Sequence, residues 1–269
     1  MDYSFYKNLY FDLKDFNNEQ LKHHYMKYGA WEGRICNKEM MSHKIKKNKI
    51  ISNNKNSFIN DYSSKTLHKK INILIRTSNR PKCFKNNINS ILKQNYNNLK
   101  LFISYDNNYT KEYILKELDS KELDYEIIEV TANNNKYNYN DYCNHLLNKV
   151  NDGYIIFLDD DDKFNHDKSL KYINDYLEED IFLVWDYFRA DKLIGPKKGE
   201  IKKGNITSCG FCYNSKYKSF WPSEINADFT FIDNLLKKNK LKIAKLDKVL
   251  TTSINLDIIY GQGKREDIE

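Results

Sequence analysis

Residues 159–162 are four consecutive aspartates, and they follow directly on the apolar run Tyr154-Ile155-Ile156-Phe157-Leu158. An apolar run of that length, bounded by polar residues, reads as a buried strand. The carboxylates therefore sit where a sheet edge opens onto a crevice. Two carboxylates about 4 Å apart repel by about 4 kcal/mol at an effective dielectric of 20, so a cluster of this kind at a partly desolvated strand end requires a counter-charge. A divalent cation, Mn²⁺ or Mg²⁺, supplies one, because such ions accept one or two carboxylates and complete their shell with diphosphate oxygens. Along an extended chain successive side chains point to opposite sides, which turns Asp159 and Asp161 one way and Asp160 and Asp162 the other. The competing interpretation is a solvated acidic turn ahead of a helix at Lys168, and the position immediately after a core strand argues against it.

The elements that must hold such a site are legible as an alternation. Strand patterns at 71–76, 99–105, 125–130 and 154–158 alternate with helical patterns at 82–94, 113–118 and 139–150. Strand and helix in alternation imply an α/β fold with a mainly parallel sheet and helices on both faces. In such sheets ligands bind beyond the carboxyl ends of the strands. Past Asp162 the pattern continues with a helix over 168–177, a strand over 182–187, a Gly/Lys-rich hairpin region, a strand near 209–213, a helix over about 228–238 and a last strand that includes 242–244.

Ahead of that domain, residues 1–36 read as a small helical appendage, with an aromatic stretch (Phe5, Tyr6, Leu9, Tyr10) and a helix from about Asn18. Asn17 or Asn18 caps it, Leu21, His24, Tyr25 and Tyr28 form its apolar face, and Gly29 ends it. Residues 37–69, rich in Lys, Asn and Ser, read as a linker, which leaves 70–269 as the main domain.

Composition removes several function classes. Forty per cent hydrophobic residues, with 21 Tyr, exclude a disordered chain. The formal charge of +7 arises from 44 basic residues interspersed with 37 acidic ones, and the one dense basic stretch, His43 to Lys49, falls in the linker. Nucleic-acid binding, which needs basic residues gathered on one face, is not expected. No apolar run approaches the ~20 residues of a transmembrane helix. No basic-then-apolar leader follows Met1, which points to a reducing, cytoplasmic setting in which the five cysteines remain thiols.

Several motifs together carry a resemblance. Residues 71–81 (INILIRTSNRP), 90–94 (SILKQ), 99–106 (LKLFISYD) and 153–162 (GYIIFLDDDD) resemble, in order and spacing, the opening and the DxD strand of glycosyltransferase family two. The similarity covers about residues 71–255. It implies a GT-A fold that binds a nucleoside-diphosphate sugar, usually UDP-linked, with Mn²⁺ or Mg²⁺, and transfers the sugar to a glycan or other hydroxyl acceptor with inversion. Residue by residue, it implies nucleoside contact at Thr77, with Asn79 and Arg80 beside it in donor binding, and base reading at Asp106. It also implies metal ligation at Asp161, with Asp159 at the first DxD position near the ribose and the metal. Asp160 and Asn144 complete the donor set, and Asp228 becomes the catalytic base at the start of a helix beside the acceptor. A carboxylate suits that task, since an acceptor hydroxyl is a poor nucleophile until a base takes its proton.

The sequence departs from the family pattern at Ser78, where Tyr is common, at Tyr105, at Cys143, where Arg is common, and at Ala227, where the usual pair is Glu-Asp. These departures make a non-catalytic nucleotide-sugar or glycan-binding module the alternative. Trp221-Pro222 offers either an acceptor-facing aromatic wall or a core Trp, and Asp228 either a base or an ordinary helix N-cap. Cys209-Gly210-Phe211-Cys212 lacks a second metal pair and reads as core. His145 and His166 have no partner pattern. Gly261-Gln262-Gly263-Lys264-Arg265 is too far from a strand for a dinucleotide loop. Residues 5–13 (FYKNLYFDL) followed by 24–34 (HYMKYGAWEGR) resemble a short helical module that flanks glycosyltransferases, and this similarity implies no activity. Donor sugar, acceptor and oligomeric state are open at this level, and an oligomer is compatible with the sequence.

Overall fold

The computed structural model describes residues 2–9, 13, 15–25, 68–131, 139–189, 192–197 and 200–253. The chain divides into two compact units, 1–67 and 68–269. The Gly29 helix stop, the body of the 37–69 segment, most of the 24–34 motif and the Gly261–Arg265 segment lie outside the described residues.

In the first unit, helices α1 (Tyr3–Leu9) and α2 (Asn18–His24) close on buried Tyr6, Leu13 and Leu21. Asn17 starts α2 with a reciprocal capping box. Its Oδ1 accepts the Gln20 N–H at 2.9 Å, and Gln20 Oε1 accepts the Asn17 N–H at 2.8 Å.

In the second unit, strand β1 (Ile71–Arg76) is central. β2 (Leu99–Tyr105) and β4 (Tyr154–Phe157) pair with it in parallel on its two sides, and β3 (Tyr125–Glu129) adds in parallel outside β2. Ile71, Ile73 and Ile75 pack beneath α3 (Pro81–Leu92) and α4 (Asn108–Leu118) on one face. Leu74 packs with α5 (Tyr139–Lys149) on the other. Burial on both faces is why β4 reads as a continuous apolar run and β1 as one broken only by the buried Asn72, rather than as alternating patterns.

Beyond β4 the sheet turns mixed. β5 (Asp162–Phe164) comes next in sequence and is followed by α6 (Ser169–Asn174), β6 (Ile181–Arg189) and the short β7 (Lys192–Ile194). A 3₁₀ turn (Ser208–Gly210) leads into β8 (Phe211–Asn214), and α7 (Ala227–Asn239) precedes β9 (Lys242–Ser253). The spatial order is β3-β2-β1-β4-β8-β6-β9-β5, with β7 on β6. β9 runs parallel to β6 through register shifts at Trp185–Tyr187 and ends beside β5, where Asp162 pairs with Ser253. The result is the GT-A type of Rossmann-like α/β fold. No helix among the described residues is long and apolar enough to cross a membrane. None of the described cysteines forms a disulfide, and Cys83, Cys143, Cys209 and Cys212 are buried.

Gly153 makes the turn into β4 with φ +79°, and a Cβ there would stand 2.6 Å from the Lys70 carbonyl oxygen. Gly153→Ala therefore combines left-handed strain with a backbone clash and is expected to cost about 2 kcal/mol or more. The thermal midpoint should fall by roughly 5 °C, and an unchanged midpoint would mean that the β1–β4 entry relaxes at little cost.

Candidate active site

Parallel pairing brings the carboxyl ends of β1, β2 and β4 to one edge, and the acidic run lies there. β4 stops at Phe157, and the chain then bends back: the Asp162 N–H donates to the Asp159 carbonyl at 2.8 Å before Asp162 enters β5. The expected side-to-side alternation along an extended strand is thus replaced by a turn. Asn87, on α3, clamps this turn, with Nδ2 within 2.9–3.1 Å of the carbonyls of Leu158, Asp159 and Asp162. Asp160, Asp162 and Asp159 are buried at 0%, 3% and 7% exposure. Asp161 alone keeps a partly exposed side chain, 20%.

Two arginines pair with two of the three buried carboxylates, Asp159 and Asp160. The Arg76 guanidinium binds both oxygens of Asp159, Nε to Oδ1 at 2.7 Å and Nη2 to Oδ2, and the Ser208 hydroxyl approaches the same carboxylate at 3.3 Å. The Arg80 guanidinium binds both oxygens of Asp160, Nε to Oδ2 at 3.0 Å and Nη2 to Oδ1, while its Nη1 lies 3.3 Å from Asp161 Oδ2. Burial opposes the charge on Arg76, and Asp159 with its neighbours more than offsets it, so the guanidinium is held charged. The same balance, with Asp160 and Asp161 as the attracting charges, raises Arg80. Burial pushes the Asp160 carboxyl up, to about 7, against the pull of Arg80. Burial and the neighbouring Asp161 and Asp159 raise Asp162 well above the ordinary carboxylate range. Much of the counter-charge anticipated from a cation is therefore built into the protein.

Removing one partner of such a pair strands the other charge in a dry site, which typically costs about 3–5 kcal/mol. Asp160→Ala, which leaves Arg80 opposed chiefly by the outlying Asp161, is expected to lose stability on that scale in chemical denaturation. A loss below about 1 kcal/mol would show that Arg80 reaches solvent instead.

The ends of β1 and β2 form a second polar group. Asp106 accepts hydrogen bonds from the Ser78 hydroxyl at 2.9 and 2.8 Å, from Asn107 Nδ2 at 2.6 Å and from the Tyr142 hydroxyl at 3.2 Å. Ser78, one of the departures from the expected pattern, thus fixes the carboxylate expected to read the base. The Thr77 hydroxyl lies 2.5 Å from the Tyr113 hydroxyl. Asn79 turns the chain with φ +54°, its N–H donating to the Thr110 hydroxyl at 3.0 Å.

Asp228 is the second residue of α7 and lies half-buried. It is not the N-cap, a position held by Asn226 at φ +59° with no side-chain capping bond. Its Oδ1 accepts the Phe229 N–H at 2.8 Å. Burial raises its pKa, while that N–H, Arg189 and Arg76 pull it down, so the guanidinium that holds Asp159 also acts on Asp228. Asn144 spends both ends of its amide on the Trp221 backbone, donating to the carbonyl at 3.0 Å and accepting the N–H at 2.9 Å. These bonds place it under the segment that precedes Asp228. Trp221 is a core residue and not an acceptor-facing wall: it is 3% exposed and stacks on Phe231 at 4.8 Å and 16°.

The sequence profile of glycosyl transferase family 2 matches residues 72–241, well over half of the 269 residues. The chain belongs to glycosyl transferase family 2. Solved structures with the same fold include S. aureus TarS 1-349 in complex with UDP, at 16% identity and TM-score 0.55, over 68% of this chain and 60% of that one. The UDP-GlcNAc complex of TarS 1-349 aligns at 16% identity and TM-score 0.53, over 68% and 58%. The mannosyltransferase PcManGT from Pyrobaculum calidifontis, in complex with GDP-Man and Mn²⁺, aligns at 10% identity and TM-score 0.54, over 73% and 60%. Identities this low show a common fold, and the chain spans about 60% of the length of these structures. A search of curated proteins gives no match.

In this family 2 chain, Thr77, Asn79, Arg80, Asp106, Asp159, Asp160 and Asp161 come together at the carboxyl edge of the sheet. Asp228 enters through the field of Arg76. Arg76, Asn87, Tyr113 and Ser208 were not anticipated. The available signals were a charged residue closing an apolar strand, for Arg76, and an amide among Phe84, Ile88 and Ile91 on an apolar helix face, for Asn87. Among the described residues no three His, Cys, Asp or Glu side chains form a metal cage. With both Asp159 oxygens on Arg76, the donor set that fits a cation is the Asp161 carboxylate together with oxygens from a bound diphosphate.

Proposed function

We propose that this chain transfers a hexosyl or N-acetylhexosaminyl group from a nucleoside-diphosphate sugar, UDP-linked, to a hydroxyl of a glycan or glycoconjugate, with inversion and with Mn²⁺ or Mg²⁺. The observation that carries this reading is the selective exposure of Asp161. Three of the four clustered carboxylates are buried, and the one that remains partly exposed is where a cation shared with a diphosphate belongs. The cation, when bound on Asp161, would offset the charge that grows on the leaving diphosphate. Asp106, its carboxylate fixed by Ser78 and Tyr142, serves the base, and Thr77 and Asn79 line the nucleoside side. Arg76 and Arg80 keep the turn rigid, so its geometry is set before substrate arrives. Asp228 takes the proton of the acceptor hydroxyl as that oxygen bonds to the anomeric carbon. The bond from that carbon to the diphosphate oxygen breaks on the opposite side, and the nucleoside diphosphate leaves intact.

The complexes of TarS with UDP and UDP-GlcNAc and of PcManGT with GDP-Man support a nucleotide-sugar donor. Calorimetry of a panel of UDP-, GDP- and dTDP-sugars with Mn²⁺ tests the donor class. Tightest binding of a UDP-sugar, with UDP released on turnover, is the expected result. Binding without any release of UDP would favour a non-catalytic binding module instead.

A further inference from the structure

Helix α5 carries two buried asparagines, Asn140 and Asn144, at positions i and i+4 and hence on one face. Amides are costly inside an apolar layer unless they are bonded, and both are bonded to the same short segment. Asn144 holds the N–H and carbonyl of Trp221, and Asn140 Nδ2 donates to the carbonyls of Pro222 at 2.8 Å and Glu224 at 3.1 Å. Asn140 Oδ1 has no hydrogen-bond partner among the described residues, a cost that an apolar side chain would avoid.

The segment held in this way leads directly into α7 and Asp228. The start of α7 has no bond from its N-cap side chain, since Asn226 is left-handed, and its local fixation is the Asp228 carboxylate on the Phe229 N–H. A helix end without a cap depends on tertiary contacts. Here these are the two asparagines, the Trp221 ring stacked on Phe231, and the Thr230 hydroxyl bonded to Glu224. The first residue of α5 also faces the donor side: the Tyr139 carbonyl accepts Arg76 Nη1 at 3.0 Å, and Arg76 holds Asp159. One helix end thus touches both halves of the site.

We propose that Asn140 and Asn144 are positioning residues for the transfer step, setting through residues 221–224 where the Asp228 carboxylate stands relative to the acidic turn. This rests on the reading of Asp228 as the base. The test compares Asn140→Ala and Asn144→Ala with wild type. It measures UDP affinity by calorimetry in Mn²⁺ and UDP release from a mixture of UDP-glucose, UDP-galactose and their N-acetylamino counterparts. Misplacement of a reacting group by about 1 Å costs on the order of 10²-fold in rate, so turnover should fall ~10- to 100-fold while UDP affinity stays within about twofold. Asn140→Ser, which keeps a small donor, replaces an alanine variant that does not fold and should lose less activity. Unchanged turnover overturns the proposal. So does a parallel loss of turnover and UDP affinity, which signals general loosening. A wild-type chain that releases no UDP overturns the transferase reading and this inference with it, whereas an active wild type matched by its variants overturns the inference alone.

Discussion

Asp228→Asn is expected to lower UDP-sugar turnover by ~10²–10⁴-fold, the usual span for loss of a general base, with UDP affinity unchanged. The substitution keeps the shape of the side chain and removes its ability to take a proton. Its pH signature follows from burial, which raises the carboxyl of Asp228 against the opposing effects of the Phe229 N–H, Arg189 and Arg76. A protonated Asp228 cannot act as base. The wild-type rate should therefore fall on acidification at a pH above the ordinary aspartate value of about 3.9, and the asparagine variant should lack that limb. Stability moves the other way. A carboxyl raised by folding contributes stability below its unfolded pKa and loses it as pH rises through the folded one. At neutral pH the uncharged asparagine should leave the thermal midpoint equal or higher. A variant that loses activity and midpoint together would point to a structural role for Asp228.

Asp161→Ala is expected to lower turnover by ~10²-fold or more, since a cation at a developing charge is worth several kcal/mol, and to weaken UDP binding measured in Mn²⁺. Unlike Asp160, it is partly exposed, and its contact with Arg80 is the outlying one at 3.3 Å. Folding should therefore survive its loss. Chelation of the cation in the wild type should reproduce the same weakening, and Asp161→Ala should then be insensitive to chelator. Equal UDP affinity in wild type and variant, with and without Mn²⁺, would detach Asp161 from the donor.

The parallel half of the sheet is legible because its central strands are buried on both faces and leave an uninterrupted apolar run at 154–158 and one broken only by the buried Asn72 at 71–75. The strand ends, and with them Thr77, Asp106 and the acidic run, followed from that. The sequence pattern starts helix α4 at residue 113, five residues late, because its first turn, beginning Asn108-Tyr109-Thr110, is weakly helical by composition and is held by the Asn107 cap. The form of the acidic run was not legible. Its bend depends on Asn87 from α3 and on pairing of Asp162 with Ser253, and neither contact leaves a mark near residue 159. Repulsion among the carboxylates follows from the sequence, while its relief by Arg76 and Arg80 requires knowing that β1 ends beside β4. Asn140 and Asn144 are visible in the sequence only as amides at helical spacing, and their partners lie about 80 residues away.

The most direct test of the donor site is a crystal structure of the chain with Mn²⁺ and UDP, with the metal located by its anomalous scattering. The expected peak lies at coordination distance from an Asp161 carboxylate oxygen and from UDP phosphate oxygens, with Arg76 still on Asp159. A manganese ion away from the 159–162 turn, or UDP bound at another face of the sheet, would contradict it.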